Sequence, residues 1–211
     1  MVDHVIIPLA EEIGLIGKIG MWILHAGCQQ VHEWHQAGLG NIEIAFNLSG
    51  RQRELGLTAN DISQILLETG LSGEFLTLEI TESELIEDTA EEITWLQSFK
   101  NVGAKLSIDD FGTGYSSLSY LKQFPVDILK IDRAFVVDLP DHQDDASLVE
   151  AIAAIAKSLN LKLVAEGVET RDQAEFLKKI GCDYLQGYHF GKPMPAAELA
   201  KKIGAVTDPP P

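Results

Sequence analysis

Residues 105–132 read KLSIDDFGTGYSSLSYLKQFPVDILKID, and the fold turns on how this stretch divides. Lys105–Asp110 is a short apolar run that stops on two carboxylates, and Ile128–Asp132 is a second run carrying Lys130 near its end. Between them, Ser116–Phe124 has helical spacing and halts at Pro125, since proline lacks the N–H a helix needs and clashes with the preceding turn. Strand, helix and strand in so short a span make a parallel βα unit.

The same unit recurs on both sides. Upstream lie the runs Ile42–Leu48 and Leu76–Thr81, and downstream Lys162–Gly167 and Tyr184–Phe190, so six strands are expected. The helices between them have readable ends. Thr58 and Gly70 bracket the apolar positions Ile62, Ile65 and Leu66 as N-cap and C′ glycine. Glu87–Lys100 carries Ile93, Leu96 and Phe99 on one stripe. Ser147–Leu159 is rich in Ala, Ile and Leu, and Thr170 with Gln173 forms a capping box for a helix ending at Gly181. Pro8–Gly14 and Ile19–Gln36 also read as helical, Trp22, Phe46 and Phe99 as core, and residues 207–211 as a disordered tail. Residues 1–206 are thus expected to form one α/β domain, either a doubly wound open sheet or a (β/α)₈ barrel of the TIM type. A complete barrel has eight strands and about 250 residues, so the barrel reading is two strands short.

The 211 residues are 45% hydrophobic and carry 16 basic against 32 acidic side chains, a formal charge of −16. That surface repels polyanions, which argues against DNA or RNA as a partner. An anionic small substrate would need a local inversion of the field, such as bound metal ions provide. Cys28 and Cys182 show no metal-type spacing and read as reduced core thiols of a cytoplasmic protein. The longest apolar run, Ala151–Ala156, is far short of the roughly 20 residues a membrane span needs, and no secretory signal is visible.

Each strand ends on a polar side chain: Asn47, Glu79, Asp109 with Asp110, Lys130, Glu166 and Gln186. The carboxyl ends of parallel strands are where α/β enzymes build their sites. Hard oxygen donors suit Mg²⁺ or Mn²⁺ rather than zinc, and a cluster of carboxylates without a cation would have to take up protons. Two such ions about 3.5–4 Å apart are the usual apparatus for in-line displacement at phosphorus. Among carboxylates Lys130 stays charged, which disfavours a Schiff-base role. Other patterns lead nowhere. His32 and His35 are three apart where a zincin helix needs four, Gly112-Thr-Gly114 lacks the third glycine of a dinucleotide fingerprint, and His189 reads as structural. The run Glu84, Glu87, Asp88, Glu91 and Glu92 reads as a solvated helix start.

The segments AFNLSGRQ, LEITES, IDDFGTGYSSLSYL, LKIDRAFV, VAEGVET and QGYHFGKPMP, in this order, resemble the strand-end motifs of EAL domains, bacterial phosphodiesterases that open cyclic di-GMP; IPLAEEIGLI resembles the entry helix of the same domain. The resemblance runs from about Ile6 to Ile203. It implies an EAL-type TIM (β/α) barrel in which Asn47, Glu79 and Asp109 hold one metal ion, Asp109 and Asp110 a second, and Glu166 lies beside both. It implies that Lys130 orients the attacking water, that Gln186 lines the substrate pocket, and that Glu82 holds a loop, Gly112–Ser117 with Gly114, which couples the site to dimerisation. The tripeptide that names the family, with its metal-binding glutamate and the arginine that follows, is absent from this sequence. The expectation is therefore hydrolysis of cyclic di-GMP to linear pGpG with two Mg²⁺ or Mn²⁺ ions; the alternatives are a catalytically reduced module that binds cyclic di-GMP or docks a protein, and a purely structural dimer module. Two unpaired strand edges also imply self-association, as a homodimer or larger, with Ile42–Leu48 the edge most exposed.

Overall fold

The structure, a computed structural model, describes residues 15–85, 90–114 and 121–207. In chain order these hold α1 (Ile16–Gln36), β1 (Ile44–Asn47), α2 (Gly50–Glu54), α3 (Ala59–Thr69), β2 (Leu76–Thr81), α4 (Ala90–Asn101), β3 (Lys105–Phe111), β4 (Ile128–Ile131), α5 (Gln143–Ser158), β5 (Lys162–Ala165), α6 (Arg171–Ile180), β6 (Tyr184–Leu185) and α7 (Ala196–Thr207). The six strands follow one another in chain order in one sheet. That is the order of barrel staves, because a doubly wound sheet reverses at a switch point and its order jumps there.

The chain divides into two compact units, with β2 and α4 contributing to both. In the first, α1 packs on α3. The buried residues of α1, Gly20, Leu24, Cys28 and Val31, form one stripe, as do Ile62, Ile65, Leu66 and Thr69 of α3. Trp22, expected in the core, is 71% exposed. It stands two residues from both Gly20 and Leu24, about 200° round the helix, on the face opposite the buried stripe. Phe46 is only half-buried, while Phe99 is fully buried. His35 is half-buried, with Nε2 2.8 Å from the Ile42 carbonyl and its ring edge-on to Phe75. Helix α7 was not legible in the sequence, and Thr207 closes it rather than opening a tail.

In the second unit, β3 to β6 are parallel, with Ser107 opposite Ile128, Lys130 opposite Val164 and Ala165 opposite Leu185. Side chains alternate between the two faces. Leu106, Ile108, Leu129, Ile131, Leu163 and Ala165 take one face and are buried. Helix α5 packs on β4 and β5 and buries Ala146, Val149, Ile152, Ala153 and Ala156. Ser107, Asp109, Lys130 and Glu166 occupy the other parity, together with Ile128 and Val164 nearer the strand starts.

Helix α6 begins where expected. Thr170 accepts from the Gln173 N–H at 3.2 Å, and Gly181, at φ 98°, closes the helix in the left-handed region. Thr170→Ala should cost about 1 kcal/mol of stability in urea unfolding, the usual worth of such a cap. Glu92 departs from the expected solvated run: it is 3% exposed, one turn before buried Leu96 and hence on the inner stripe of α4. Burial pushes the thiols of Cys28 and Cys182 up, to about 11 and about 12, so both are inert at neutral pH. No described helix is long and apolar enough to cross a membrane. Pro8–Gly14, most of Ser116–Phe124 and the residues after Thr207 lie outside the described residues.

Candidate active site

Four of the residues singled out at strand ends meet in the second unit. Lys130 Nζ lies 2.6 Å from Glu166 Oε1, 2.8 Å from Glu79 Oε1 and 3.1 Å from Asp109 Oδ2. The lysine is 3% exposed. Parallel register makes this meeting possible: Lys130 pairs with Val164, and Glu166, two residues beyond Val164 and just past the end of β5, keeps the same parity and turns toward the same side.

Asp109 and Asp110 are adjacent, and in a regular strand they would face opposite sides. The β3–β4 register resolves this. Ile108 pairs with Leu129 but Phe111 with Ile131, so β3 carries one extra residue between them. Such a bulge re-aims side chains. Asp110 takes φ +54°, a left-handed conformation that aspartate tolerates better than most residues. Its N–H donates to Asp109 Oδ1 at 2.9 Å, which fixes the Asp109 carboxylate between that amide and Lys130.

The electrostatics follow from crowding. Burial raises the pKa of Glu79 and of Glu166, and the hydrogen bonds and charge of Lys130 offset only part of that. Burial, Asp109 and a hydrogen bond to the Asp132 carboxyl push Asp110 up to about 6. Burial alone would depress Lys130, but its bonds to Glu166 and Glu79 win and hold it above the usual lysine range. Asp132 carries no signal in the sequence that singles it out. It stands two residues after Lys130 at the mouth of β4 and caps the turn Arg133–Phe135 by accepting from the Ala134 N–H at 2.8 Å.

These raised carboxylates set a sign for pH. A group whose folded pKa exceeds its unfolded value near 4 lends stability below pH 4 and withdraws it as pH rises through the folded pKa. For Asp110 that window runs from about 4 to about 6. Metal-free protein should therefore lose stability between these pH values, and Asp110→Asn should flatten the decline. The two proteins should melt alike near pH 4 and the variant higher at pH 7, and the opposite ordering would contradict the assignment.

The remaining expected residues fall as follows. Glu82, 3% exposed, accepts from the Gly112 N–H at 2.7 Å and from the Gly114 N–H at 3.3 Å. A Cβ on Gly112 would lie 2.9 Å from the Phe135 ring, so the backbone approach needs glycine. The loop beyond Gly114 lies outside the described residues. Gln186 follows β6, exposed, with its backbone bonded to Ala165 and Val168. Asn47 ends β1 in the first unit, exposed. Three carboxylates, Glu79, Asp109 and Glu166, thus close on one ammonium, with the hydrogen-bonded pair Asp110 and Asp132 beside Asp109, an all-oxygen donor set with excess negative charge that suits a hard divalent cation. Among the described residues no three His, Cys, Asp or Glu side chains are arranged to grip one ion together.

The family model described as "EAL domain" matches residues 2–193. The chain belongs to the EAL domain family. It is similar to the bifunctional diguanylate cyclase/cyclic di-GMP phosphodiesterase MucR of Pseudomonas aeruginosa, 45% identical over 93% of this chain and 29% of that protein. The chain thus spans under a third of the length of this curated relative. Among solved structures, the MucR phosphodiesterase in complex with c-di-GMP aligns at a TM-score of 0.88 with 45% identity, covering 93% of this chain and 80% of that one. A manganese/cy-diGMP complex of Klebsiella pneumoniae BlrP1 aligns at 0.74 with 29% identity, covering 84% and 45%. The EAL fold accounts for the sequential strand order described above.

Proposed function

We propose that this EAL domain is a metal-dependent phosphodiesterase that hydrolyses cyclic di-GMP to linear pGpG. The observation that carries the reading is the meeting of Glu79, Asp109 and Glu166 on Lys130 at the carboxyl ends of parallel strands. The MucR and BlrP1 complexes, each named for this dinucleotide, support it.

Glu79, Asp109, Asp110 and Glu166 of the second unit are the residues that would hold two Mg²⁺ or Mn²⁺ ions, and those ions would supply positive charge to the phosphate and acidify a water molecule. The chain's own residues do the rest. Glu166, whose pKa is raised by burial, accepts a proton from the attacking water at a carboxylate oxygen. Lys130 Nζ keeps its charge and stabilises negative charge that develops on the phosphate oxygens. Water adds to phosphorus, one ester P–O bond breaks, and the departing ribose oxygen takes up a proton. Gln186 borders the dinucleotide, and Glu82 fixes Gly112 and Gly114 so that the loop after Asp110 keeps its place. The domain, residues 1–206, works in the bacterial cytoplasm as a homodimer or larger assembly, which light scattering would contradict by showing one monodisperse monomer.

A second reading has its own support, since the Lys130 ammonium occupies the point on which three carboxylates converge and no described trio grips an ion. On that reading the domain holds cyclic di-GMP without cutting it. Incubation of purified protein with cyclic di-GMP and Mn²⁺, followed by chromatography, separates the two. Linear product above a blank supports hydrolysis; calorimetric binding without product supports the holding module; neither heat nor product overturns both.

A further inference from the structure

Gln173 does more than cap α6. Its side-chain amide is 3% exposed and makes four bonds. Oε1 accepts from the Glu169 N–H at 2.7 Å and the Thr170 N–H at 2.9 Å, while Nε2 donates to the Val136 carbonyl at 3.1 Å and the Val137 carbonyl at 2.9 Å. Two acceptor lone pairs and two donor hydrogens are all an amide offers, so every one is used. Two N–H groups on one side and two carbonyls on the other also leave only one orientation of the amide.

The groups it joins belong to different loops. Val136 and Val137 close the turn Arg133–Phe135, which Asp132 caps directly after β4 and Lys130. Glu169 and Thr170 lie three and four residues beyond Glu166. A second tie runs outside the first: Arg133 Nη2 donates to Glu169 Oε1 at 2.8 Å. Its stem lies against Gly167, whose φ is +69° and where a Cβ would come 2.2 Å from Arg133 Cγ. Nothing bulkier than glycine fits beside Glu166. An amide buried between two loops with all its valences engaged gives each loop one position.

We propose that Gln173 is a positioning residue that yokes the turn after Lys130 and Asp132 to the loop after Glu166, and thereby holds the Glu166 carboxylate against the Lys130 ammonium. The inference rests on the hydrolytic reading for its kinetic consequence and on geometry alone for the yoke. Partners that orient a site typically matter 10- to 100-fold in activity when removed, because small misplacements of reacting groups are costly.

The test compares three variants of the whole chain with the parent, assayed with cyclic di-GMP and Mn²⁺. Gln173→Ala removes both halves of the yoke. Gln173→Glu keeps the acceptor toward Glu169 and Thr170 but sets an oxygen against two carbonyls. Thr170→Ala weakens the helix cap and leaves the yoke in place. The expected result is a kcat about 10- to 100-fold lower for both Gln173 variants, KM within about threefold, and an unchanged kcat for Thr170→Ala. Parent-like kcat in either Gln173 variant, or an equal loss in Thr170→Ala, overturns the proposal in favour of simple capping. Amide hydrogen exchange on the parent protein reads the yoke with no variant and no substrate: Glu169, which precedes the helix, should exchange as slowly as the amides within α6. Fast exchange there overturns the yoke even if the variants fail to fold. If the parent shows slow exchange and no turnover, the hydrolytic reading fails and the yoke stands.

Discussion

Lys130→Met is expected to destabilise the metal-free protein by about 3–5 kcal/mol, the usual cost of stripping one partner from a buried ion pair. The ammonium is the common neighbour of Glu79, Asp109 and Glu166, all within 3.1 Å of it. Methionine fills much the same space, so packing is little changed and the loss reports charge. Without the cation the three carboxylates must share protons or repel, and stability should recover as pH falls and they protonate. Urea unfolding at neutral and acid pH checks both statements, and a loss under about 1 kcal/mol, the range of exposed pairs, would show that the cluster is open to water. Mn²⁺ should raise the melting temperature of the variant more than that of the parent, since a bound cation stabilises the fold by mass action and here restores the missing charge.

Glu166→Gln is expected to lower kcat for cyclic di-GMP on the order of 10²–10³-fold, comparable with removing one preorganised electrostatic group from an active site. The substitution keeps size and shape while deleting a negative charge and a proton acceptor. Because burial already raises the pKa of Glu166, the fold tolerates the neutral form, and the variant should melt within a few degrees of the parent. Activity within tenfold of the parent would take Glu166 out of the proton path. A large fall in melting temperature would mean that its bond to Lys130 serves the fold before it serves the chemistry.

Several of these residues are legible in the sequence. Glu79, Lys130 and Glu166 stood out because apolar runs stopped on them, and parallel register then brought them together. The box at Thr170 and Gln173 could be read because capping is a local bargain between a side chain and the next turn. Asp132 could not, since its partner is Asp110, more than twenty residues away across a bulge that no periodicity announces. Trp22 misled because a large aromatic in an apolar helix suggests core, and only the packing of α1 on α3 fixes which stripe faces inward. Glu92 misled in the opposite direction, a carboxylate in an acidic run whose position on α4 turns it in.

By itself the sequence determined the alternation of strands and helices, the ends of the helices that cap themselves, and the polar residue closing each strand, all consequences of interactions within a few residues. The tertiary structure alone decided how the adjacent Asp109 and Asp110 are aimed, because a bulge is defined only against the neighbouring strand. It also decided that Lys130 answers three carboxylates at once and that the Gln173 amide reaches a second loop. Those are contacts between segments far apart in the chain, and they exist only when the strands lie side by side.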